Sequence, residues 1–158
     1  AKHFGMIVRG FTRASEASTY VNTYFHGDQL LKFANGLDYL VCALPRTEGT
    51  NQIVDANLLN ALPSHAVLLN VGRGNAVDEI ALENTLKNGR IAGAILDVTA
   101  QEPLPADHPL WTAPNILLTF HTSAISYPKD ITRLFFENYL LYIEDRPLTY
   151  QVDFERGY

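Results

Sequence analysis

Three residues of the 158-residue chain are of types that together can move a proton and hold a carboxylate: Arg73, Glu102 and His121. An imidazole gives or takes a proton near neutral pH, so His121 can serve an alcohol or a carbonyl as acid or base. A carboxylate such as Glu102 can hold that ring and tune its basicity. A guanidinium stays charged at any working pH and presents a planar fork, so Arg73 can bind a substrate carboxylate and polarise the carbonyl beside it. The set suits hydride transfer to a 2-keto acid. The other histidines, His3, His26, His65 and His108, read as exposed residues of turns or helix ends. No pair of His or Cys has metal-ligand spacing, so no metal is expected, and no GxSxG nucleophile motif occurs.

The elements that must position these residues follow from apolar runs alternating with helical patterns. Strands are expected over residues 6–12, 22–25, 38–43, 66–71, 91–98 and 115–120. Helices are expected over residues 27–34, 55–62 and 78–88, the last with Asp78 as N-cap and Gly89 just past its end. A final helix starts near Ser126 with Pro128 in its first turn. It carries Ile131, Leu134, Phe135, Leu141 and Tyr142 on a broad apolar face, which reads as core packing. The opening AKHFG reads as the last turn of a helix closed by Gly5.

Apolar strands separated by helices predict an α/β fold, a doubly wound parallel sheet with helices on both faces. Ligands of such sheets bind beyond the C-terminal strand ends. Those ends are Thr12 with Arg13, Leu44 with Pro45, Asn70 to Arg73, Asp97 and His121, with Glu102 in the loop DVTAQEPLP between the last two.

Composition excludes several other classes. A formal charge of −5 without a Lys/Arg cluster excludes a nucleic-acid-binding face. No apolar run reaches the roughly 18 residues that a spanning helix requires, so no membrane partner is expected. The single cysteine, Cys42, lies in the apolar run LDYLVCALP and reads as a buried, inert thiol, which fits a reducing cytosol and a cytoplasmic location.

The stretch LLNVGRGNAVDE opens two glycines after an apolar run, yet it departs from a phosphate-cradling GxGxxG turn. Val77 stands where the third glycine belongs, and Arg73 would crowd a pyrophosphate. LLNVGRG with its acidic helix start, then GAILDVTAQEPLP, then HPLW and NILLTFHTSA, resembles the cofactor-binding domain of the D-isomer-specific 2-hydroxyacid dehydrogenases over essentially the whole chain. QVDFERGY and AQEPLP resemble the glyoxylate/hydroxypyruvate reductase A group most closely.

The resemblance implies a Rossmann-like domain in which Arg73 orients the substrate, Glu102 is the pKa-tuning partner and His121 is the acid/base. It places the nicotinamide-side contacts near Leu44, Pro45, Asn70, Val71, Gly72 and Asp97. It also implies a partial dinucleotide-binding domain over residues 1–125 and a C-terminal helix and tail, residues 126–158, that pack on a substrate domain. A small 2-keto or 2-hydroxy acid is the implied partner and a homodimer the implied assembly.

Two departures from the family pattern matter. Phe120 stands where the family usually has Pro before the histidine. The family's glycine-rich loop lies upstream of the helix whose tail AKHFG resembles, so the central strand and phosphate loop are expected to be missing from this chain, leaving unpaired edges on strands 6–12 and 38–43. The chain alone is therefore expected to be inactive.

At the end of the strand over residues 6–12, the second of the family's sheet, the chain offers Thr12 and Arg13, with no carboxylate before Glu16. A hydroxyl and a guanidinium suit a 2′-phosphate, so NADP(H) is expected ahead of NAD. The expected reaction is reduction of glyoxylate or hydroxypyruvate. The alternatives are another 2-hydroxyacid dehydrogenase, such as one oxidising 3-phosphoglycerate, or a catalytically inactive nucleotide-binding module.

Overall fold

The segment VLLN becomes β4 (Val67–Asn70), flanked by β3 (Tyr39–Cys42) and β5 (Gly93–Leu96), with β6 (Ile116–Leu118) beyond β5. All of these pairings are parallel, with Leu68 opposite Leu40 and Ala94, and Asn70 opposite Cys42 and Leu96. Side chains alternate along a strand, so this register gathers Leu40, Cys42, Leu68, Asn70, Ala94 and Leu96 on one face, where all are buried. Burial also pushes the Cys42 thiol pKa up, as expected for an inert thiol. The computed structural model describes residues 1–155, so the end of QVDFERGY, 156–158, lies outside the described residues.

Two crossover helices cover that face, α2 (Ala56–Ala61) with Leu58 and Leu59, and α3 (Glu79–Lys87) with Leu82 and Leu86. Each begins on a side-chain acceptor. Asp55 takes the Leu58 N–H at 2.8 Å and Asp78 takes the Ala81 N–H at 2.9 Å, each cap contributing about 1 kcal/mol. Just past α3, Gly89 turns left-handed at φ 60°, which costs a residue with a Cβ roughly 1–2 kcal/mol. Helices this short are marginal alone, so burial of their leucines, roughly 1.5–3 kcal/mol each, holds them in place.

The opposite sheet face is bare among the described residues. Val41 is 59% exposed and Leu117 54%. The expected cover on both faces is therefore not supplied by the described residues. The final helix, α4 (Pro128–Ile143), has no buried residue, and Phe135 and Tyr142 on its apolar face are exposed. Core packing is thus not what that face does here. An apolar stripe identifies a surface that avoids water, but it does not name what covers it.

The sheet is split where the sequence reading places the gap. β1 (Arg9–Phe11) and β2 (Thr23–Phe25) form a separate two-stranded parallel ladder, and among the described residues β1 and β3 each keep one edge unpaired. The short helix α1 (Leu30–Ala34) bridges the two parts: the Phe33 ring lies 5.7 Å from that of Phe11 and 5.8 Å from that of Phe25, and Arg9 Nη1 donates to the Asn35 carbonyl at 2.6 Å. Ahead of β1, Lys2–Phe4 is a single 3-10 turn closed by Gly5 at φ 76°. No helix of the described residues is long and apolar enough to cross a membrane.

Candidate active site

Residues at the C-terminal ends of β4, β5 and β6 are tied together by buried polar side chains. After β4, the amide of fully buried Asn70 closes a turn: Oδ1 accepts the Gly72 N–H at 3.1 Å and Nδ2 donates to the Arg73 carbonyl at 3.1 Å. Val71 N–H bonds to the Cys42 carbonyl, and a side chain at Gly72 would come within 2.5 Å of the Leu44 nitrogen. Leu44, after β3, therefore presses directly on this turn, and the carbonyl of Pro45 beyond it accepts the Thr50 hydroxyl. Arg73 itself is exposed, with Nη1 donating to the Gly72 carbonyl at 2.8 Å.

After β5, Asp97 is buried and fastens the loop that carries His121. Its carboxylate accepts from Thr119 Oγ1 at 2.6 Å, Thr122 N–H at 2.8 Å and Ser123 N–H at 2.9 Å, and its carbonyl accepts the His121 N–H. Burial pushes the Asp97 carboxyl pKa upward, but the hydrogen bonds from Ser123, Thr119 and Thr122 overcome it and hold the group well below the usual carboxylate range. The expectation for Asp97 was a cofactor contact; its oxygens are engaged by residues 119–123.

Glu102 and His121 meet. Glu102 Oε2 lies 2.8 Å from His121 Nδ1, and Glu102 Oε1 accepts the Thr99 N–H at 3.1 Å. The hydrogen bond from His121 lowers the Glu102 pKa, against partial burial and with help from the Thr99 N–H and the charge of Arg73. Among the described residues His121 Nε2 has no hydrogen-bond partner, and the side chain is half exposed. Both side chains are about half exposed, and they line a cavity of about 540 Å³ together with Asp97, Leu104, Leu118 and Phe120. Arg73 does not line that cavity; it stands on the neighbouring strand end, near enough for its charge to act on Glu102.

The backbone that delivers His121 is unusual. β6 ends at Leu118 rather than at residue 120, and Phe120 and His121 are both left-handed, at φ 55° and 61°. Such residues cost roughly 1–3 kcal/mol each and persist where their surroundings hold them. Here Asp97 holds the loop from one side, and the Trp111 ring, 5.7 Å from that of Phe120, lies on another. Proline is locked near φ −65°, so this turn is closed to the family's usual Pro at 120.

Thr12 and Arg13 belong to the other sheet, beyond β1. His26, at the end of β2, places Nδ1 2.9 Å from the Thr12 carbonyl and Nε2 2.8 Å from Glu16 Oε1. The bond to Glu16, then that to Thr12, raises the His26 pKa above its ordinary value. His26 and His108 were expected to be exposed, and neither is: His108 is only 19% exposed at its side chain and lies against Glu79. The sequence signal missed there was the Glu after the Asp78 cap, which reads as an ordinary acidic first turn.

Four parallel strands with ligand-facing loops at their C-terminal ends define a Rossmann-like nucleotide-binding domain. The chain belongs to the D-isomer specific 2-hydroxyacid dehydrogenase family: the model of that family's NAD binding domain matches residues 1–123. It is 35% identical over 155 residues to glyoxylate/hydroxypyruvate reductase A of Salmonella heidelberg, which covers 98% of this chain and 50% of that protein. A 2-hydroxyacid dehydrogenase from Xanthobacter autotrophicus Py2, solved with NADPH and MES, is 39% identical with a TM-score of 0.92, covering 99% of this chain and 64% of that one. An NADPH-dependent glyoxylate/hydroxypyruvate reductase from Sinorhizobium meliloti, solved with NADP and sulfate, is 30% identical with a TM-score of 0.92, covering 99% of this chain and 51% of that one. The chain spans about half the length of the curated relatives it matches.

Proposed function

We propose that this chain forms the cofactor-binding half of an NADP(H)-dependent reductase that converts a small 2-keto acid, of the glyoxylate or hydroxypyruvate type, to the 2-hydroxy acid. The observation that carries the reading is the 2.8 Å contact between Glu102 and His121 at the mouth of a cavity, with Nε2 unpartnered among the described residues and Arg73 on the adjacent strand end. The nicotinamide, when bound, supplies the hydride that reaches the carbonyl carbon. Arg73 holds the substrate carboxylate in its fork and draws charge from the neighbouring carbonyl. His121 Nε2 gives its proton to the carbonyl oxygen as the alcohol forms, and Glu102 keeps the ring oriented and balances its charge. Solvent then returns the proton to His121.

Thr12 and Arg13 support the choice of NADP(H). The nearest following carboxylate, Glu16, is tied to His26, so the end of β1 carries Thr12, whose hydroxyl donates to the Ser15 carbonyl at 2.8 Å, and Arg13 where a ribose-binding acid would select NAD. Asn70, Val71, Gly72, Leu44, Pro45 and Asp97 shape the nicotinamide side through the turns they hold. Residues 1–125 are the nucleotide-binding unit in this reading, and residues 126–158 supply a helix and tail whose apolar face seats on a substrate domain. A homodimer belongs to the same reading. The test is titration and turnover of the complete gene product: NADPH should bind more tightly than NADH, and glyoxylate or hydroxypyruvate should be reduced. Tighter binding of NADH, or preference for 3-phosphoglycerate, would overturn it.

A further inference from the structure

Glu79 opens α3, but its carboxylate leaves that helix. The side chain is buried, and Oε1 accepts the Ala100 N–H at 2.7 Å, in the loop that carries Glu102. Oε2 lies 3.3 Å from Nε2 of His108. His108 Nδ1 accepts the Leu110 N–H at 3.3 Å, which puts the proton of the neutral ring on Nε2. That bond caps the 3-10 turn Pro109–Thr112, whose Trp111 packs against Phe120, next to His121. The loop is also seated against the Arg73 turn: a side chain at Gly74 would come within 1.9 Å of the Thr99 carbonyl carbon.

We infer that Glu79, backed by His108, is a positioning residue that sets the loop around Ala100 and the turn around Trp111 so that Glu102 and His121 meet. One carboxylate reaches both members of the dyad, Glu102 through Ala100 and His121 through Trp111 and Phe120. It touches neither substrate nor cofactor. One oxygen accepts the Ala100 N–H and the other lies against the His108 ring, so Glu79→Gln, with one acceptor oxygen and no charge, must disturb one of the two contacts. His108→Gln keeps a polar side chain beside Glu79, whereas His108→Ala removes it. The catalytic consequence rests on the reductase reading above; the geometric one does not.

The experiment is carried out on the complete gene product. In Glu79→Gln, kcat for keto-acid reduction should fall on the order of 10²-fold, the loss that a displacement of about 1 Å in a reacting group brings, while the NADPH Kd stays within about twofold. His108→Gln should retain most of the rate that His108→Ala loses. Independently of turnover, the proton of the His121 Nδ1–Glu102 bond, read by NMR in ¹⁵N-histidine-labelled protein, should be sharp in the parent and in His108→Gln and lost to exchange in Glu79→Gln and His108→Ala. An unchanged Nδ1 proton in Glu79→Gln and His108→Ala would overturn the inference. So would a rate loss matched by equal weakening of NADPH binding. If the parent reduces no keto acid, the functional reading fails while the NMR signal still decides the positioning role. If Glu79→Gln does not fold, the His108 pair carries the same comparison.

Discussion

The β3–β6 sheet and the β1–β2 pair are both parallel ladders of short strands, yet their loops are held differently. In the larger sheet the loops after β4, β5 and β6 are fastened by buried polar side chains: Asn70 for the Arg73 turn, Asp97 for the His121 loop, Glu79 for the Glu102 loop. In the smaller one, Phe25 is the buried core residue, and α1 is the principal tie to the rest of the chain. The loop that carries Thr12 and Arg13 is joined to β2 through His26 and Glu16 near the surface. Buried acceptors with several donors fix position, whereas exposed pairs contribute little and yield to salt. Proton transfer needs atoms placed within a fraction of an ångström, and in the proposed reaction it falls on the first kind of loop. Discrimination between two cofactors needs charge of the right sign, and the second kind suffices.

Four substitutions break or sharpen that contrast. His121→Asn should lower kcat by about 10²–10⁴-fold, the usual contribution of an acid/base group, with NADPH affinity nearly unchanged by fluorescence titration. Asp97→Asn should lower stability by about 1–3 kcal/mol, since an amide now faces buried N–H donors; urea unfolding measures it. The folded pKa of Asp97 is depressed, so its contribution is complete above about pH 4, the unfolded value, and is lost as pH falls through the folded one. The gap between parent and variant should therefore narrow below about pH 4. Arg13→Ala should weaken NADPH binding by about 3- to 10-fold, in keeping with one exposed charge–phosphate contact, and leave NADH binding alone.

The smallest effect belongs to Glu16→Gln. The folded pKa of His26 is raised, so its contribution is present below the ordinary value and fades as pH rises through the folded one. NMR titration of the His26 ring should show its midpoint moving down in the variant, with turnover unaffected. An Arg13→Ala variant that lost kcat as strongly as His121→Asn would erase the division between the two sheets.

What the sequence disclosed follows the reach of the interactions. Asp55, Asp78 and Gly89 mark helix ends through bonds or φ angles a few residues long, and the helices start and stop beside them. The apolar runs that became β3, β4 and β5 were legible, though each strand is shorter than its run because pairing ends before the apolar character does. The meeting of Glu102 with His121 was anticipated from successive strand ends. The Glu79–His108 pair was not, because it joins residues 29 positions apart and neither has a neighbour that marks it. What covers the second sheet face and α4 was not legible for a related reason: apolar character is local, while its cover is set by the whole assembly.

Phe120 and the backbone beneath it constrain descent as well as catalysis. At φ 55° this residue lies about 120° from the angle that proline imposes, so the proline usual in the family and the phenylalanine here belong to two different turns. A lineage cannot pass between them by exchanging one side chain; the turn must be rebuilt in the same step, or the histidine is carried off target meanwhile. Exchanging Phe120 alone for proline is therefore expected to shift the His121 backbone and break its 2.8 Å contact with Glu102.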